Sequence, residues 1–383
     1  MAELKREIGI GLIGTGFMAK VHSNAYHTMK YIYYKNQAVP ELKVICSENS
    51  AKRARDAKER YGFEKSVVGY TEVLKDPEVD VVDICNGDFR HKEIALAALR
   101  AGKHVICEKP LAANQQDARE LCEFAQKQGK KAFCGFNYRF IPAVLLAKQL
   151  IESGVMGRPY SFNGSYLQDV GASEEARYET LWYAAGPKAS GVSYGIGGHL
   201  IDVARFLMGD IVQVSGLVKN QNPIRMSENG PQKVIGEEEA VAAVSFANGA
   251  MGTLRFSAIA AGRKNCLRFE ISCSKGSLVF DLEEINYLWV FLKDSPVKQV
   301  SGFTKVNVTQ VDKDHPFMDV WWPRGHGIGW EHAHINELAF FLEQIAGDET
   351  MENMAAGFYD GYQAIRIADA IKESSETGLH IAL

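Results

Sequence analysis

Three short stretches of this chain carry residue types whose spacing could do chemistry. The first, Gly14-Thr15-Gly16-Phe17-Met18-Ala19, ends an apolar run, Ile8–Ile13, and opens a helical one, Met18–Tyr34. A G-x-G-x-x-G/A match between a strand and a helix predicts dinucleotide binding. Its first glycine permits the tight turn, its second lets a pyrophosphate approach the backbone, and Ala19 keeps the helix close to the sheet. Gly14, Thr15, Gly16, Phe17 and Met18 are therefore candidate cofactor contacts. The second stretch is Cys107-Glu108-Lys109-Pro110-Leu111-Ala112, at the end of a later strand-like run. Ligands of open α/β sheets bind beyond the carboxyl ends of the strands, which places Lys109, with Glu108 beside it, in the crevice expected for the nicotinamide. The third is His199 and Asp202, three residues apart on a predicted helix and hence on one face of it.

The position that reads the adenosine ribose falls in Cys46-Ser47-Glu48-Asn49. A carboxylate there accepts hydrogen bonds from the 2′-hydroxyl and repels a 2′-phosphate, so Glu48 points to NAD. NADP is the second choice. Ser47 takes the acid's usual place in a residue-by-residue alignment, and Lys52 and Arg53 follow one turn on.

These residues need a particular scaffold. Up to about residue 135, the strand-like runs Ile8–Ile13, Leu42–Cys46, Asp80–Cys85, His104–Cys107 and Lys131–Gly135 alternate with helical stretches Met18–Tyr34, Ala51–Tyr61, Lys92–Ala101 and Gln116–Gln128. Repeated βα units predict an α/β fold with a doubly wound parallel sheet over residues 1–136. From about Phe140 one helical stretch, Pro142–Ser153, precedes longer strand-like runs from Pro159–Gln168 to Tyr287–Leu292, and helices over Glu331–Ile345 and Met354–Lys372 follow. Residues 137–383 are thus expected to form a second domain with a large, mostly antiparallel sheet.

The 383 residues suffice for two well-buried domains, and with 46% hydrophobic and 23% charged residues the composition excludes disorder and fibrous repeats. A net charge of -4 gives no reason to expect nucleic acid or an anionic membrane as partner. Seven cysteines without a C-x-x-C pair read as reduced thiols of a cytoplasmic protein, and the N-terminal residues show neither a signal peptide nor a membrane span.

The glycine turn, Glu108-Lys109-Pro110, Gly135-Phe136-Asn137-Tyr138-Arg139-Phe140 and Gly197-Gly198-His199-Leu200-Ile201-Asp202 together resemble the glucose–fructose oxidoreductase / inositol dehydrogenase family (Gfo/Idh/MocA) over nearly the whole chain. The resemblance implies a Rossmann domain and a C-terminal α/β domain whose open sheet mediates homo-oligomer formation. It also implies hydride exchange between a nicotinamide and a hydroxyl-bearing carbon of a sugar or cyclitol. By this resemblance Lys109 contacts the reacting hydroxyl, His199 is the catalytic histidine and Asp202 the acid one turn later. A neutral imidazole near pH 7 can take the hydroxyl proton, and an ammonium stabilises developing alkoxide charge.

The chain also departs from the family pattern. Gly195 stands where the family places an acid four residues before the histidine, leaving Asp202 or Asp169 as substitutes or the site opened for a bulkier substrate. The loop Asn86-Gly87-Asp88-Phe89-Arg90-His91 replaces T-P-N-x-x-H; Asn86, Asp88 and His91 are its candidate cofactor residues. Tyr166-Leu167-Gln168-Asp169 and Tyr138 resemble the levoglucosan dehydrogenase-like pyranoside dehydrogenase branch, with Tyr138 as a stacking platform and Tyr166, Gln168 and Asp169 as readers of ring hydroxyls. The segment from His315 to Gly327, and Trp330 after it, read as an aromatic wall.

The resulting expectation is an NAD-dependent oxidation of a ring hydroxyl of a sugar, anhydrosugar or glycoside, with C3 as the position the resemblance suggests. An NADP-dependent keto-sugar reductase and a non-catalytic dinucleotide-binding sensor are the alternatives. No metal is expected, because His332 and His334 diverge on a helix and no acid or cysteine completes a set with His326. The run Gly236-Glu237-Glu238-Glu239 reads as a solvated turn.

Overall fold

The computed structural model describes residues 5–181, 191–294, 299, 301–310, 315–347 and 354–383. They form two compact units, one of residues 1–140 with 329–363, the other of residues 141–328 with 364–383. The expected single boundary at 136/137 assigned residues 329–363 to the second unit, whereas they belong to the first.

In the first unit the chain runs β1 (Arg6–Ile13), α1 (Phe17–Ile32), β2 (Ala38–Ser47), α2 (Ala51–Tyr61), β3 (Lys65–Val68), α3 (Tyr70–Lys75), β4 (Val81–Ile84), α4 (His91–Arg100), β5 (His104–Glu108), α5 (Gln115–Ala125) and β6 (Ala132–Gly135). The six strands pair in parallel in the order β3-β2-β1-β4-β5-β6. β4 is buried at every position, as a strand covered on both faces must be, and this explains the continuous apolar runs of the sequence. The strand order reverses between β2 and β4 on either side of β1, which creates the crevice where dinucleotides bind. Local signals set the helix ends. Ser50 caps α2 by accepting from the Arg53 amide, Gly62 ends it at φ +75°, and Asn114 caps α5.

The second unit opens with α6 (Pro142–Glu152), which starts on a proline, and continues with β7 (Pro159–Leu167) and α7 (Gly191–Met208). Then follow β8 (Ile211–Lys219), the hairpin β9 (Ile224–Ser227) and β10 (Gly230–Lys233), β11 (Glu239–Phe246), β12 (Met251–Ser257), β13 (Cys266–Cys273), β14 (Gly276–Asp281), β15 (Tyr287–Leu292) and β16 (Thr304–Asn307). After α8 (Trp330–Ala346) of the first unit, α9 (Phe358–Thr377) leads back into the second, and β17 (Ile381–Ala382) ends the chain. The nine-stranded sheet has the order β16-β15-β14-β13-β7-β12-β11-β8-β17, and among the described residues β7 with β12 is its one parallel pair. β11 and β12 alternate buried and exposed residues, so the sheet has one packed face, which α7 covers.

The acidic run before β11 is not a solvated turn. Glu238 is fully buried and pairs with Arg225 at 2.9 Å, and the guanidinium also donates to the carbonyls of Gly171 and Ser173. Glu237 accepts from the Ser193 amide in the first turn of α7 and faces Lys372 at 3.3 Å. Two carboxylates are therefore buried because each has a cation or an amide to receive it. Removing one partner of a buried pair strands the other, so Arg225→Ala should cost about 3–5 kcal/mol of stability, while Arg225→Met combined with Glu238→Leu should recover much of it. Urea unfolding of the three proteins measures both effects.

Candidate active site

The glycine turn is pinned by its neighbours. The Gly14 amide donates to the Cys46 carbonyl at 2.9 Å, and the Cys85 amide donates to the Ile13 carbonyl at 2.8 Å. Gly14 has φ +126°, and a Cβ there would lie 2.7 Å from the Cys85 carbonyl oxygen, so only glycine fits. Gly16 is the N-cap of α1; no side chain caps that helix, and nothing lies within 4 Å of where a Cβ would be. The first-turn amides are thus left for a ligand that comes against the backbone. Thr15 and Met18 are half-buried beside the turn. Phe17, 67% exposed, stacks on Trp330 at 5.8 Å between centroids, so Trp330 extends the turn itself.

At the end of β2 the two ribose candidates separate. Ser47 is buried inside the sheet, paired with Val68, and Glu48 is the next residue, beyond the strand. One Glu48 oxygen accepts from Arg90 at 2.9 Å, and its other, Oε1, is buried without a hydrogen-bond partner. Beyond β4 both amide atoms of Asn86 are likewise buried and unpartnered. An open glycine cradle, an uncapped helix and orphaned polar atoms at Glu48 and Asn86 fit a dinucleotide with its ribose hydroxyls. Asp88 turns onto the Phe89 amide. His91 is buried with its ring between the Pro110 and Asn86 carbonyls, at 2.8 and 3.1 Å, and burial lowers its pKa. It straps the loop after β4 to the turn that follows Lys109.

Glu108 ends β5 in a buried polar cluster that the sequence reading did not contain. His22 of α1 reaches Asp83 of β4 through Nδ1 at 2.9 Å and Glu108 through Nε2 at 3.2 Å, and Tyr26 donates to Asp83 at 2.8 Å. Gly135 makes room for this arrangement, since a Cβ there would meet the Glu108 carboxylate at 2.6 Å. Burial opposes charge on His22, but the Asp83 carboxylate, with Cys85 and hydrogen bonds to both, holds its pKa well above the ordinary histidine value. His334 of α8 lies 5.8 Å from His22 between ring centroids, and Trp330 packs its ring against His334 at 4.5 Å. Burial first, then the charges of His22 and Lys109, push the His334 pKa well down. His22, Glu108 and His334 lie close enough together to hold a metal ion, yet both His22 nitrogens already face carboxylates. His326 contacts the Pro323 carbonyl and His332 accepts from the Gly329 amide.

In the second unit Tyr166, Gln168 and Asp169 stand at the end of β7. Tyr166 is buried, with its ring 6.1 Å from that of His199. Its hydroxyl donates to Asn265 Oδ1 at 2.6 Å, and Gln168 donates to the same oxygen at 3.0 Å. Asn265 was not singled out in the sequence, because the residues before β13 carry no motif. Asp169 is held by Lys264 at 2.6 Å, which lowers its pKa, and by the Gly262 amide. His199 and Asp202 are both buried on α7. Tyr138 belongs to the first unit, in the short turn Asn137–Phe140, and is only 3% exposed, a packed position rather than an open platform. In the loop from His315 to Gly327, Met318 and Trp321 are buried while Trp322 is 43% exposed. This loop is therefore partly core.

The His22 cluster has a pH signature. Its folded-state pKa lies well above the ordinary histidine value of about 6.5, so the stability it contributes is complete below that pH and is lost as pH rises through the folded value. From this group wild-type stability should fall by up to about 1.4 kcal/mol per pH unit above pH ~6.5, and Asp83→Asn should flatten the slope. Denaturant titrations over a pH series read both slopes, and equal slopes would remove the charged imidazole.

Comparison with known proteins agrees with this fold. Residues 8–136 match the model of an oxidoreductase family with an NAD-binding Rossmann fold, and residues 144–279 match the GFO/IDH/MocA C-terminal domain. The chain is 35% identical to levoglucosan dehydrogenase of Pseudarthrobacter phenanthrenivorans, covering 97% of this chain and 96% of that one. It is 29% identical to D-glucoside 3-dehydrogenase of Escherichia coli, covering 98% and 97%. A solved levoglucosan dehydrogenase in complex with NADH and levoglucosan superposes with a TM-score of 0.92 at 35% identity, over 99% of both chains. A Rossmann sheet with a free phosphate turn, a lysine at the end of β5 and these full-length similarities lead to one conclusion: the chain belongs to the Gfo/Idh/MocA family of oxidoreductases.

Proposed function

We propose that the chain is an NAD-dependent dehydrogenase that oxidises a ring hydroxyl, at C3, of a pyranose sugar, anhydrosugar or glycoside. The observation that carries this reading is the strand end at Lys109, which shares one unit with an uncapped phosphate turn and an acid, Glu48, whose free oxygen suits a ribose diol. The full-length likeness to proteins that act on levoglucosan and D-glucosides supports the sugar class. NAD, when bound, supplies the hydride acceptor. Glu48 favours it over NADP, because a 2′-phosphate would be set against a carboxylate.

The chain's own groups then divide the work. The Lys109 ammonium donates to the reacting oxygen and stabilises charge as its proton leaves, and the His199 imidazole takes that proton. Asp202, one turn beyond His199 on α7, is the acid that stands in for the missing one at Gly195. Asp169 is already committed to Lys264. Asn265 fixes the orientation of the sugar readers, since Tyr166 and Gln168 both donate to its Oδ1. The broad outer face of the nine-stranded sheet, where Leu217 is 68% and Met251 67% exposed, supports self-association, and seven free, buried cysteines suit the cytoplasm. Among the described residues no helix is long and apolar enough to cross a membrane.

Lys109→Ala and His199→Ala should each lower kcat on the best pyranoside by on the order of 10²-fold or more, while the NADH dissociation constant changes little. A nicotinamide absorbance assay over a panel of anhydrosugars, glucosides and inositols, with fluorescence titration of NADH, tests this. Near-normal turnover in either variant removes that residue from the chemistry.

A further inference from the structure

The loop after β4 contains a cation that neither the glycine turn nor the catalytic roles employ. Arg90 closes the short turn Asp88–Arg90 and reaches back to Glu48 at 2.9 Å. Its second contact is Glu93 of α4 at 3.3 Å, and its guanidinium carbon lies 5.8 Å from the centroid of the Tyr70 ring, at the start of α3. Tyr70 donates to Glu93 at 2.9 Å, so the platform beneath the guanidinium is itself fixed. The pair is only partly covered, Arg90 being 34% and Glu48 25% exposed, and as a bare surface ion pair it would contribute little. Its atoms suggest another use. The bond to Arg90 occupies Oε2 of Glu48 and leaves Oε1 buried and unpartnered, and the guanidinium Nε is unpartnered as well.

We propose that Arg90 is the specificity-determining partner of Glu48: it aims the free carboxylate oxygen at the adenosine ribose, and it is already in place to bind a 2′-phosphate once the acid is removed. The inference deepens the NAD-dependent reading above and rests on it for the site of the ribose. Two negative groups, Glu48 and Glu93, surround one cation here, and a dianionic 2′-phosphate would meet a net negative rim. Neutralising Glu48 leaves one cation against one acid and frees a planar donor fork suited to phosphate. The sequence reading placed the possible phosphate ligands at Lys52 and Arg53. Lys52 is paired with Asp56 at 2.7 Å, and Arg53 lines a cavity of about 420 Å³ together with Thr15 and Gly16 of the phosphate turn, so it is the rival phosphate ligand that the double variant below tests.

The test is binding, read by NADH and NADPH fluorescence without any sugar. Glu48→Gln should raise the affinity for NADPH relative to NADH at least tenfold, and the gain should vanish in Glu48→Gln/Arg90→Ala. Arg90→Ala alone should weaken NADH at least threefold without improving NADPH, and Arg90→Lys, a cation without the fork, should recover only part of the NADH affinity. Apo melting temperatures check that each variant is folded. If the tenfold gain survives in the double variant, the phosphate is held by Lys52 or Arg53 and the proposal fails. It fails equally if Arg90→Ala binds NADH within twofold of wild type. Because no substrate takes part, a wild-type chain that binds NADH but oxidises no pyranoside would refute the functional reading and leave this result standing.

Discussion

A buried histidine held between two carboxylates is the constraint on which the first unit depends. His22 stands on the helix that begins at the phosphate turn, Asp83 on the strand that leads to the Asn86 loop, and Glu108 immediately before Lys109. Burial opposes charge on the imidazole, and the Asp83 carboxylate beside it holds the His22 pKa well above the ordinary histidine value. The helix that presents backbone amides, the loop that carries Asn86 and Arg90, and the strand end that carries the lysine are thus joined through one residue. Glycine at position 135 is part of the same arrangement, since any side chain there would press on the Glu108 carboxylate.

The two units carry different kinds of chemistry. The proposed cofactor site of the first rests on backbone geometry: a glycine at positive φ, an open cradle and a helix start that, among the described residues, no side chain caps. The second works through side chains whose polarity is set by neighbours. Asn265 accepts hydrogen bonds from both Tyr166 and Gln168, and Glu237 and Glu238 are buried with the partners they hold.

Much of this was legible in the sequence because it follows from period and punctuation. Short apolar runs marked the parallel strands, longer strand-like runs marked the strands of the second sheet, and α2 lies over the expected stretch, Ala51–Tyr61. Elements without such a pattern were missed. β3 is a four-residue strand with no buried position, and the hairpin of β9 and β10 alternates over only four residues a side. The return of α8 to the first unit has no local signal, because its apolar face would read the same against either domain. Within the proposed site, Gly14, Gly16, Lys109 and His199 are the residues that a motif marks in the sequence. Arg90, Asn265 and His22 depend on partners 42, 99 or 61 positions away, and such pairings are properties of the fold alone.

The central claim is that a hydride leaves a ring carbon of a pyranoside for the nicotinamide. Incubating the purified chain with NAD and a glucoside deuterated at C3, then examining both products by NMR, tests it directly. The account predicts deuterium at C4 of the reduced nicotinamide and a ketone at C3 of the sugar. Reduced cofactor without deuterium, or no reduced cofactor with any pyranoside while NADH still binds, would contradict it.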